Sequence, residues 1–545
     1  MIFPMHKEKF ILSLIGLISC FGCSGPNKQK IKAAERPNIV YIFSDDHATQ
    51  AISAYKNSAL TEQFPNLTPN IDRLAEEGMI MENTFCTNAI CGPSRATVLT
   101  GKFSHVNGFY KNEHGGDFDN TQVTFPKLMQ EAGYQTAVIG KWHLGSEPMG
   151  FDYSKVMVNR AGQGTYYNPV FVENGKDTIF ETRNHSTKQI WEDAHKWLQQ
   201  RDAEKPFLLM YQFKAPHRPW DPDPQFADEF ANDEIVVPAT FDDQYEGRLA
   251  AGDTWQTIDR HLTRRDLKVH PEDSSALDHK GLRDWYEHGN NNEEPWTLED
   301  GKSEEELRHW KYQTYIKDYL RCVKGVDHYV GELLKYLDDH NLTENTIVIY
   351  SSDQGFYLGE HGWFDKRFMY EESLRMPFLI RYPGHIAPKS VSQKMSMNVD
   401  VAPTLLDYAQ VSVPEEMQGV SIRPVLEGEQ VKDWRDAVYY HYYEFPRWHH
   451  VRPHFGIRTE RYKLINFYYD PENKPGQWED RWELFDLKND PDELNNLYGK
   501  AEYEELFINL KARLFELQKT YQEDSPEEMI HKTDVHIKRF YEKQS

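Results

Sequence analysis

Short apolar runs alternate with amphipathic stretches over most of the chain. The apolar runs, each bounded by turn residues, lie at 39–43, 136–139, 207–211, 346–350 and 378–380. Near-continuous hydrophobic runs of this length predict strands that are covered on both faces of a sheet. Residues 68–78 have Pro just inside the start, an apolar stripe and Gly at the end, which predicts a helix between the first two strands. The pattern therefore predicts an α/β fold with a large, mostly parallel central sheet.

The pattern changes after about residue 430. Aromatic-rich alternating segments follow at 437–442, 455–459 and 463–467, and they predict antiparallel strands. An amphipathic stretch at 503–521 predicts a helix packed against these strands. We therefore expect a large domain at 36–430 and a smaller α+β domain with an antiparallel sheet at 431–545. Within the large domain, residues 238–305 are highly charged and weakly patterned, which predicts an insertion with little core of its own.

The composition is that of a globular protein, with 39% hydrophobic and 27% charged residues in a chain of 545. Lys and Arg number 62 against 86 Asp and Glu, which gives a net charge of -24. This balance argues against a nucleic-acid partner, because phosphate binding requires a basic surface. A small anionic substrate is still compatible, since a few cationic side chains in one cleft dominate the local field.

The N-terminus has the pattern of an export signal. Lys7 and Lys9 precede an apolar run at 10–18 that is too short to span a bilayer of about 30 Å. The sequence Leu-Ile-Ser-Cys that ends at Cys20 resembles the lipobox of bacterial lipoproteins, which predicts a signal peptide at 1–20 and lipidation of Cys20. Residues 21–35 then form a polar, flexible tether. We expect an exported protein of the periplasm or cell surface, held to the membrane only by this lipid; the alternative is a cleaved secretory peptide without a lipid.

Five cysteines are too few for a disulfide framework in an exported chain of this length. Cys20 and Cys23 lie at the predicted processing site, which leaves Cys86, Cys91 and Cys322. In this odd set we expect one cysteine with a chemical task and two that are small buried hydrophobic residues. Cys86 and Cys322 are assigned to the second class.

Polar side chains follow two of the predicted strands directly. Asp45 and Asp46 follow the first strand, and Asp353 and Gln354 follow the fourth. Ligands bind beyond the carboxyl ends of the strands in open α/β sheets, so the two strand ends predict one shared site. Three carboxylates and one amide oxygen suit Ca²⁺ or Mg²⁺ better than zinc, and calcium tolerates irregular geometry. An Asp pair by itself is more often a turn or a helix cap.

The segment 91–101 reads Cys-Gly-Pro-Ser-Arg-Ala-Thr-Val-Leu-Thr-Gly. It resembles the type I sulfatase signature Cys-x-Pro-Ser-Arg with a following Thr-Gly, the recognition element for oxidation of the Cys to formylglycine. The resemblance covers nearly the whole chain, through ordered motifs at 44–47, 140–145, 215–219 and 352–362. It implies an alkaline-phosphatase-like sandwich and hydrolysis of sulfuric esters.

The resemblance implies that a formylglycine-generating enzyme or an anaerobic sulfatase-maturing enzyme oxidises Cys91. The hydrated aldehyde has one hydroxyl to attack sulfur and a second whose deprotonation expels sulfate. Arg95 and the start of the helix would stabilise the developing negative charge, and His143 would steer and deprotonate the diol. One Ca²⁺ would be bound by the modified Cys91 together with Asp45, Asp46, Asp353 and Gln354.

Three further side chains receive roles from the same resemblance. Lys141 and Lys366 would bind the sulfate oxygens, and His217 would protonate the leaving sugar oxygen. A lone Lys or His is more often a solvated or hydrogen-bonded structural residue.

Position 354 departs from the family pattern, because many members have Asn and some have His where this chain has Gln. The longer amide still offers a carbonyl oxygen. The strings 353–367 and 369–377 are similar to bacterial sulfatases acting on N-acetylglucosamine-6-sulfate. The expected partner is a sulfated glycan of the glycosaminoglycan or mucin type. Other specificities, such as a 2-O-sulfated uronate, are the alternative.

A segment dense in cationic and aromatic residues at 446–454 predicts a sugar-binding loop in the smaller domain. The alternative is a solvated turn between two strands. The predicted substrate-binding residues are His449, His450, Arg452 and His454 in this segment, with His361 and Arg367 beside the predicted metal ligands.

Two other function classes are the alternatives to a sulfatase. A phosphatase or phosphodiesterase of the same superfamily would more often have a Ser or Thr nucleophile and two zinc ions bound by His and Asp. A silent glycan-binding lipoprotein would have no reason to retain every catalytic residue. We therefore predict a calcium-dependent sulfatase.

Overall fold

The computed structural model describes residues 36–112, 117–158, 162–181, 184–263, 266–268, 302–445, 449–468 and 481–524. The predicted signal peptide, Cys20 and the tether lie outside the described residues, as do 269–301 of the predicted insertion and 446–448 of the predicted sugar-binding loop. None of the helices in the described ranges is long and apolar enough to cross a membrane.

The strands are β1 Asn38–Ser44, β2 Met79–Met81, β3 Thr84–Phe85, β4 Gln135–Lys141, β5 Tyr153–Met157, β6 Val170–Glu173, β7 Asp177–Phe180, β8 Phe207–Gln212, β9 Thr346–Ser352, β10 Tyr357–Leu358, β11 Phe364–Asp365, β12 Phe378–Arg381, β13 Ser390–Ser392, β14 Ser396–Met397, β15 Ala437–Tyr442, β16 His454–Thr459, β17 Tyr462–Phe467 and β18 Arg481–Asp486. The α-helices are α1 Ala59–Gln63, α2 Pro69–Glu76, α3 Cys91–Thr100, α4 Ser104–Asn107, α5 Phe125–Glu131, α6 Ser186–Gln200, α7 Leu249–Gly252, α8 Ile258–His261, α9 Glu304–Asp339, α10 Glu371–Leu374, α11 Val401–Tyr408, α12 Arg423–Leu426 and α13 Glu504–Thr520.

The central sheet has ten strands in the order β13-β2-β12-β9-β1-β8-β4-β5-β6-β7. The five strands from β9 to β5 are parallel, and antiparallel pairs flank them on both sides. Each of the five predicted apolar runs forms a strand of this sheet, and the predicted helix at 68–78 is α2. The predicted α/β fold with a mostly parallel core is confirmed.

Both faces of this sheet are buried, which explains the continuous apolar runs. Val40 and Ile42 of β1 pack into a cluster that includes α2, α6 and the long helix α9. Ile39, Tyr41 and Phe43 point to the opposite face, where the cluster includes α3, α5 and α11. The large domain is therefore a sheet between two helical layers.

The smaller antiparallel sheet has the order β15-β16-β17-β18, and α13 packs on it through Leu510 and Leu514. Its predicted strands and helix are confirmed. This sheet contacts the segment that follows β11. Tyr370 Oη donates to Glu483 Oε2 at 2.7 Å, and the ammonium of Lys463 lies 3.0 Å from Glu371. The smaller sheet thus supports the loop that carries Lys366.

Candidate active site

The parallel register brings the two predicted acidic strand ends together. Ser44 at the end of β1 lies beside Ser352 at the end of β9. The next residues, Asp45 and Asp353, therefore meet at the same edge of the sheet. The backbone N–H of Asp46 donates to Asp353 Oδ1 at 3.1 Å, which joins the two ends directly.

Asp45, Asp46 and Asp353 form one buried group, with a carboxylate oxygen from each within 4.8 Å of the others. All three residues are fully buried. Burial raises the pKa of Asp46 and of Asp353 to about 6. Burial also acts on Asp45, but Lys141 and other nearby cations outweigh it and hold the pKa of that carboxyl well below its usual range. The negative charge of Asp45 adds to the effect of burial at Asp46 and at Asp353.

The residues fit a hard cation. Two buried oxygens at the site, Asp45 Oδ1 and Gln354 Oε1, have no hydrogen-bond partner in the described structure. The Gln354 amide nitrogen lies 2.5 Å from Asp46 Oδ1 and 2.8 Å from Asp353 Oδ1. A half-turn of the amide would replace this nitrogen by the oxygen and complete an all-oxygen donor set. Such a set is suited to Ca²⁺ or Mg²⁺.

Cys91 is the first residue of α3 and points its side chain into the same site. Lys366 Nζ lies 3.4 Å from Cys91 Sγ. The cysteine is 1% exposed, and burial raises the pKa of its thiol. An unmodified thiol in this environment is a weak nucleophile, because the thiolate is the reactive form. The position at a helix N-terminus nevertheless favours negative charge that develops there.

Arg95 lies one helical turn after Cys91, on the same face of α3. Its guanidinium donates through Nε and Nη2 to Asp353 Oδ2 at 3.2 and 3.1 Å. Nη1 donates to the Lys141 carbonyl at 3.1 Å and to Gln212 Oε1 at 3.0 Å. Arg95 therefore ties the nucleophile helix to the ends of three strands.

Two lysines form ion pairs with the carboxylates. Lys141, the last residue of β4, forms an ion pair with Asp45. Lys366, in the loop after β11, donates to both oxygens of Asp46 at 2.6 and 2.8 Å. With Arg95 they make three fixed positive charges beside three carboxylates, so a divalent cation would leave the site net positive. A net positive site suits an anionic substrate.

His143 and His217 are the most exposed of the predicted catalytic residues in the described structure. His217 Nε2 lies 3.8 Å from Asp46 Oδ2, and its Nδ1 lies 2.6 Å from the Arg218 carbonyl. A carbonyl only accepts, so the Nδ1 atom of His217 carries a proton and Nε2 faces the site. Burial lowers the pKa of both imidazoles well below its usual value, although Asp45 opposes this effect at His217.

The backbone is strained around the site. Asp46, His143, Asp365 and Arg367 have positive φ values of 67°, 57°, 78° and 95°. Non-Gly residues adopt this region at a cost of about 1–3 kcal/mol each, and such residues cluster at functional sites.

Two of the predicted substrate-binding residues lie next to this group. His449 Nε2 is 3.3 Å from Asp365 Oδ2, and Arg367 pairs with the other oxygen of Asp365. Lys366, between Asp365 and Arg367, is the residue that contacts Cys91. Arg367 is therefore a sequence neighbour of Lys366, and His449 contacts the other neighbour, Asp365.

The other four predicted substrate-binding residues have protein partners. His361 is fully buried and pairs with Asp243 at 2.7 Å. His454 in β16 is also fully buried, and its Nε2 accepts the Met369 N–H at 3.1 Å. Arg452 pairs with Asp253, and His450 stacks on Trp255 with ring centroids 4.8 Å apart. A substrate contact by these residues stays a prediction.

Four polar residues at the site were not predicted from the sequence motifs. Gln212 binds Arg95, and Gln163 contacts both Lys141 and His143. Asn112 Oδ1 accepts the Gly92 N–H at 3.1 Å, and Asn398 donates to Ser94 Oγ at 2.9 Å. Only Gln212 gives a clear signal in the sequence, since it is a polar residue at the end of an apolar strand.

Comparison with known proteins gives matches over most of the chain. The family model described as "Sulfatase" matches residues 37–411. A second, "N-sulphoglucosamine sulphohydrolase, C-terminal", matches residues 359–520. An N-acetylglucosamine-6-O-sulfatase of Bacteroides thetaiotaomicron is 45% identical over 534 residues, which cover 95% of this chain and 92% of the relative.

Solved structures share the architecture. A structure described as a complex with its substrate D-glucosamine-2-N,6-O-disulfate is 45% identical, with a TM-score of 0.81, over 90% of this chain and 99% of the other. A phosphonate monoester hydrolase of Agrobacterium radiobacter is 20% identical with a TM-score of 0.61, over 89% of this chain and 96% of the other, and shows the fold alone. These neighbours confirm the alkaline-phosphatase-like sandwich.

Proposed function

The chain belongs to the sulfatase family, and on that premise we propose that it removes the 6-O-sulfate from N-acetylglucosamine in a sulfated glycan. The observation that carries the proposal is the position of Cys91. Its sulfur lies at the start of α3, 3.4 Å from Lys366 and within 4.8 Å of a carboxylate oxygen of Asp45, which also belongs to the group of three buried carboxylates. A nucleophile at position 91 therefore lies next to both a positive charge and the proposed metal ligands. Transfer of a sulfuryl group requires both.

Formylglycine at position 91 supplies the nucleophile of the proposed reaction. Oxidation of Cys91 by a maturation enzyme gives an aldehyde, and its hydrate presents two hydroxyls where the structure has Sγ. A buried thiol with a raised pKa cannot present a geminal diol or act as a ready nucleophile. The modification therefore explains why a cysteine occupies this position.

The surrounding side chains have separate tasks. Lys141 and Lys366 bind the sulfate oxygens, and Arg95 orients Asp353 while its charge stabilises the nucleophile. His217 faces the leaving oxygen through Nε2, and because its Nδ1 is already protonated, it donates to that oxygen only as the imidazolium, which the Asp46 carboxylate 3.8 Å away stabilises. The buried position of these groups strengthens each electrostatic contact and excludes water.

Asp45, Asp46, Asp353, Gln354 and the modified residue 91 are the proposed ligands of one Ca²⁺. When bound, the ion polarises the sulfate ester and lowers the pKa of the attacking hydroxyl. The unpartnered oxygens Asp45 Oδ1 and Gln354 Oε1 support this assignment.

Two similarities support the substrate. The relative that is 45% identical is described as an N-acetylglucosamine-6-O-sulfatase, and the solved neighbour binds a glucosamine that carries 6-O-sulfate. The direct test is a screen of 2-, 3-, 4- and 6-sulfated monosaccharides with released sulfate as the readout. The proposal requires the fastest release from 6-sulfated N-acetylglucosamine, and a preference for a 2-O-sulfated uronate would replace it.

The N-terminal pattern supports export. In the proposed setting the protein faces the periplasm or the outside of the cell, and a lipid on Cys20 is its only membrane attachment.

We expect His217→Ala to impair sugar sulfates much more than an activated aryl sulfate. A sugar alkoxide needs a proton as it leaves, whereas a nitrophenolate leaves without one. The loss in kcat on N-acetylglucosamine-6-sulfate should be about 10²- to 10⁴-fold, with a much smaller loss on the aryl ester. Equal losses in kcat/KM on both substrates would show that His217 binds sulfate instead of acting as the acid.

His449→Ala and His454→Ala form a matched pair within one segment. We expect His449→Ala to lower kcat/KM on the sulfated sugar by roughly tenfold to a thousandfold, because its ring lies against Asp365 beside Lys366. His454→Ala should instead lower the melting temperature, since its ring is fully buried and accepts the Met369 N–H. The checks are kinetics on the sugar and on an aryl sulfate, together with thermal unfolding. Unchanged sugar kinetics in the His449 variant would remove this residue from the substrate site.

A further inference from the structure

We propose that Gln163 is a positioning residue that keeps the proton of His143 on Nδ1, so that His143 offers an N–H donor to the bound substrate or to the modified Cys91. The inference rests on the proposed function, because it assigns individual atoms within that active site. Gln163 belongs to none of the motifs that carry the family resemblance.

Two flanking glycines allow the backbone conformation that positions Gln163. Gly162 and Gly164 have φ values of +82° and +72°, a region that side chains other than Gly rarely adopt. A Cβ at Gly162 would lie 3.2 Å from the Cα of His143, and a Cβ at Gly164 would lie 2.3 Å from Cε of Met157. The Gly-Gln-Gly turn thus lets the chain approach His143 closely and places the amide of Gln163 between two catalytic residues.

The contact with Lys141 fixes the orientation of that amide. Lys141 Nζ donates to Gln163 Oε1 at 2.7 Å. An ammonium group has only donors, so the opposite amide orientation would bring two donors together. The oxygen of Gln163 therefore faces Lys141, and its nitrogen faces the other neighbour.

That neighbour is Nε2 of His143, at 3.0 Å from Gln163 Nε2. The amide nitrogen has only donors, so the imidazole nitrogen must accept. A neutral imidazole that accepts at Nε2 carries its proton on Nδ1. Burial, with Lys141 beside it, lowers the pKa of His143 well below its usual value, which is consistent with the neutral form. Lys141 thereby selects the tautomer of His143 through its contact with Gln163.

His143 Nδ1 is buried and has no hydrogen-bond partner in the described part of the chain. A buried donor without an acceptor is costly, so this atom is the one at which a ligand oxygen would be stabilised. Sulfate-ester oxygens and the hydroxyls of the diol can both accept. In this state His143 acts as a donor to developing negative charge and has no lone pair free to take the proton of the diol, so the donor role replaces the role as base that the family resemblance implied.

The first experiment replaces His143 by two amides of different length. In His143→Asn the side-chain amide reaches the position of Nδ1, whereas in His143→Gln it reaches that of Nε2. We expect the Asn variant to retain at least about tenfold more kcat/KM than the Gln variant on an aryl sulfate, because it preserves the donor. Equal activities, or a more active Gln variant, would overturn the assignment of Nδ1–H as the functional group.

The second experiment separates the two contacts of Gln163. Gln163→Glu keeps the acceptor for Lys141 but cannot donate to His143, so a protonated Nε2 would be favoured and the tautomer reversed. Gln163→Met removes both contacts at similar length. We expect both variants to lose about ten- to a hundredfold in kcat, the range typical of residues that orient a ligand. If Gln163→Glu stays within about threefold of the wild type while Gln163→Met is impaired, Gln163 acts on Lys141 and the proposal fails.

Tyr167→Phe is the control for the loop. Tyr167 lies four residues further on, is 43% exposed and donates to the Pro222 carbonyl at 2.7 Å. We expect this variant to have wild-type kinetics, and melting temperatures of all variants show that they fold. A wild-type enzyme that releases no sulfate from any ester would contradict the proposed function itself. Activity of the wild type with unaffected Gln163 variants would contradict only this inference.

Discussion

Cys91→Ala should abolish sulfate-ester hydrolysis while the protein still folds. Neither a methyl group nor, in a host that cannot oxidise Ser, the hydroxyl of Cys91→Ser can form the diol. The expected loss in kcat is at least about 10⁶-fold, the lower end of enzymatic rate accelerations. Folding should survive, because Ala suits the first turn of α3 and the volume removed from this 1% exposed position is small. Sulfate release and thermal unfolding, measured on the same preparation, are the two readouts.

The molecule contains a matched control for this experiment. Cys322 in α9 is also buried and unpaired, yet it lies among core side chains of the helical layer. Cys322→Ala should keep wild-type turnover. A mass spectrum of the peptide that contains Cys91 should show the aldehyde in the active enzyme and the thiol in protein made without a maturation enzyme. Wild-type rates in the Cys91→Ala protein would end the sulfatase mechanism proposed here.

Removal of the metal should have the second largest effect. A chelator is expected to lower kcat by about 10²- to 10⁴-fold, which corresponds to the several kcal/mol of charge stabilisation that a divalent ion contributes. Calcium should restore activity better than zinc, since the available ligands are oxygens. Because only the folded state assembles Asp45, Asp46 and Asp353, calcium should also raise the melting temperature of the chelated protein.

Substitution of the ligands should reproduce chelation. Asp45→Ala, Asp46→Ala and Asp353→Ala should each lose activity and the calcium-dependent rise in melting temperature. Asp242, whose side chain is 82% exposed, supplies the control, and Asp242→Ala should respond to calcium as the wild type does. Stoichiometric zinc in the purified protein, or an unchanged melting temperature on addition of calcium, would contradict the proposed site and favour the phosphatase alternative.

Most of the fold could be predicted from the amino-acid sequence. The strands that became β1, β4, β8, β9 and β12 are apolar along their whole length, because helices cover both faces of the sheet. The C-terminal strands pair in antiparallel order, and their sheet is buried between α13 and the segment that follows β11. The spacing of apolar residues is a local property of the sequence, so it can be recognised without the tertiary structure.

The proximity of the predicted metal ligands could also be inferred from the sequence, for a topological reason. Asp45 and Asp353 are more than three hundred positions apart, but each directly follows a parallel strand. Adjacent parallel strands end at the same edge, so two acidic endings predict one site once the strands are neighbours. The roles of Arg95, Lys141, His143, His217 and Lys366 came from motifs, and the structure brings these residues together around Cys91.

Other features depended on the tertiary structure alone. Nothing in the sequence distinguishes His449, beside Asp365, from His454, which is buried in β16 five residues later. Gln163 is an ordinary polar residue until β4 and its following loop bring Lys141 and His143 within hydrogen-bond distance. By itself the sequence determined the main strands and helices, and it predicted that Cys91 and the acidic strand ends belong to one site, since these features depend on local pattern and on strand ends. Only the tertiary structure decided which polar atoms face each other, because hydrogen-bond direction and proton position depend on distances of a few ångströms between residues far apart in the chain.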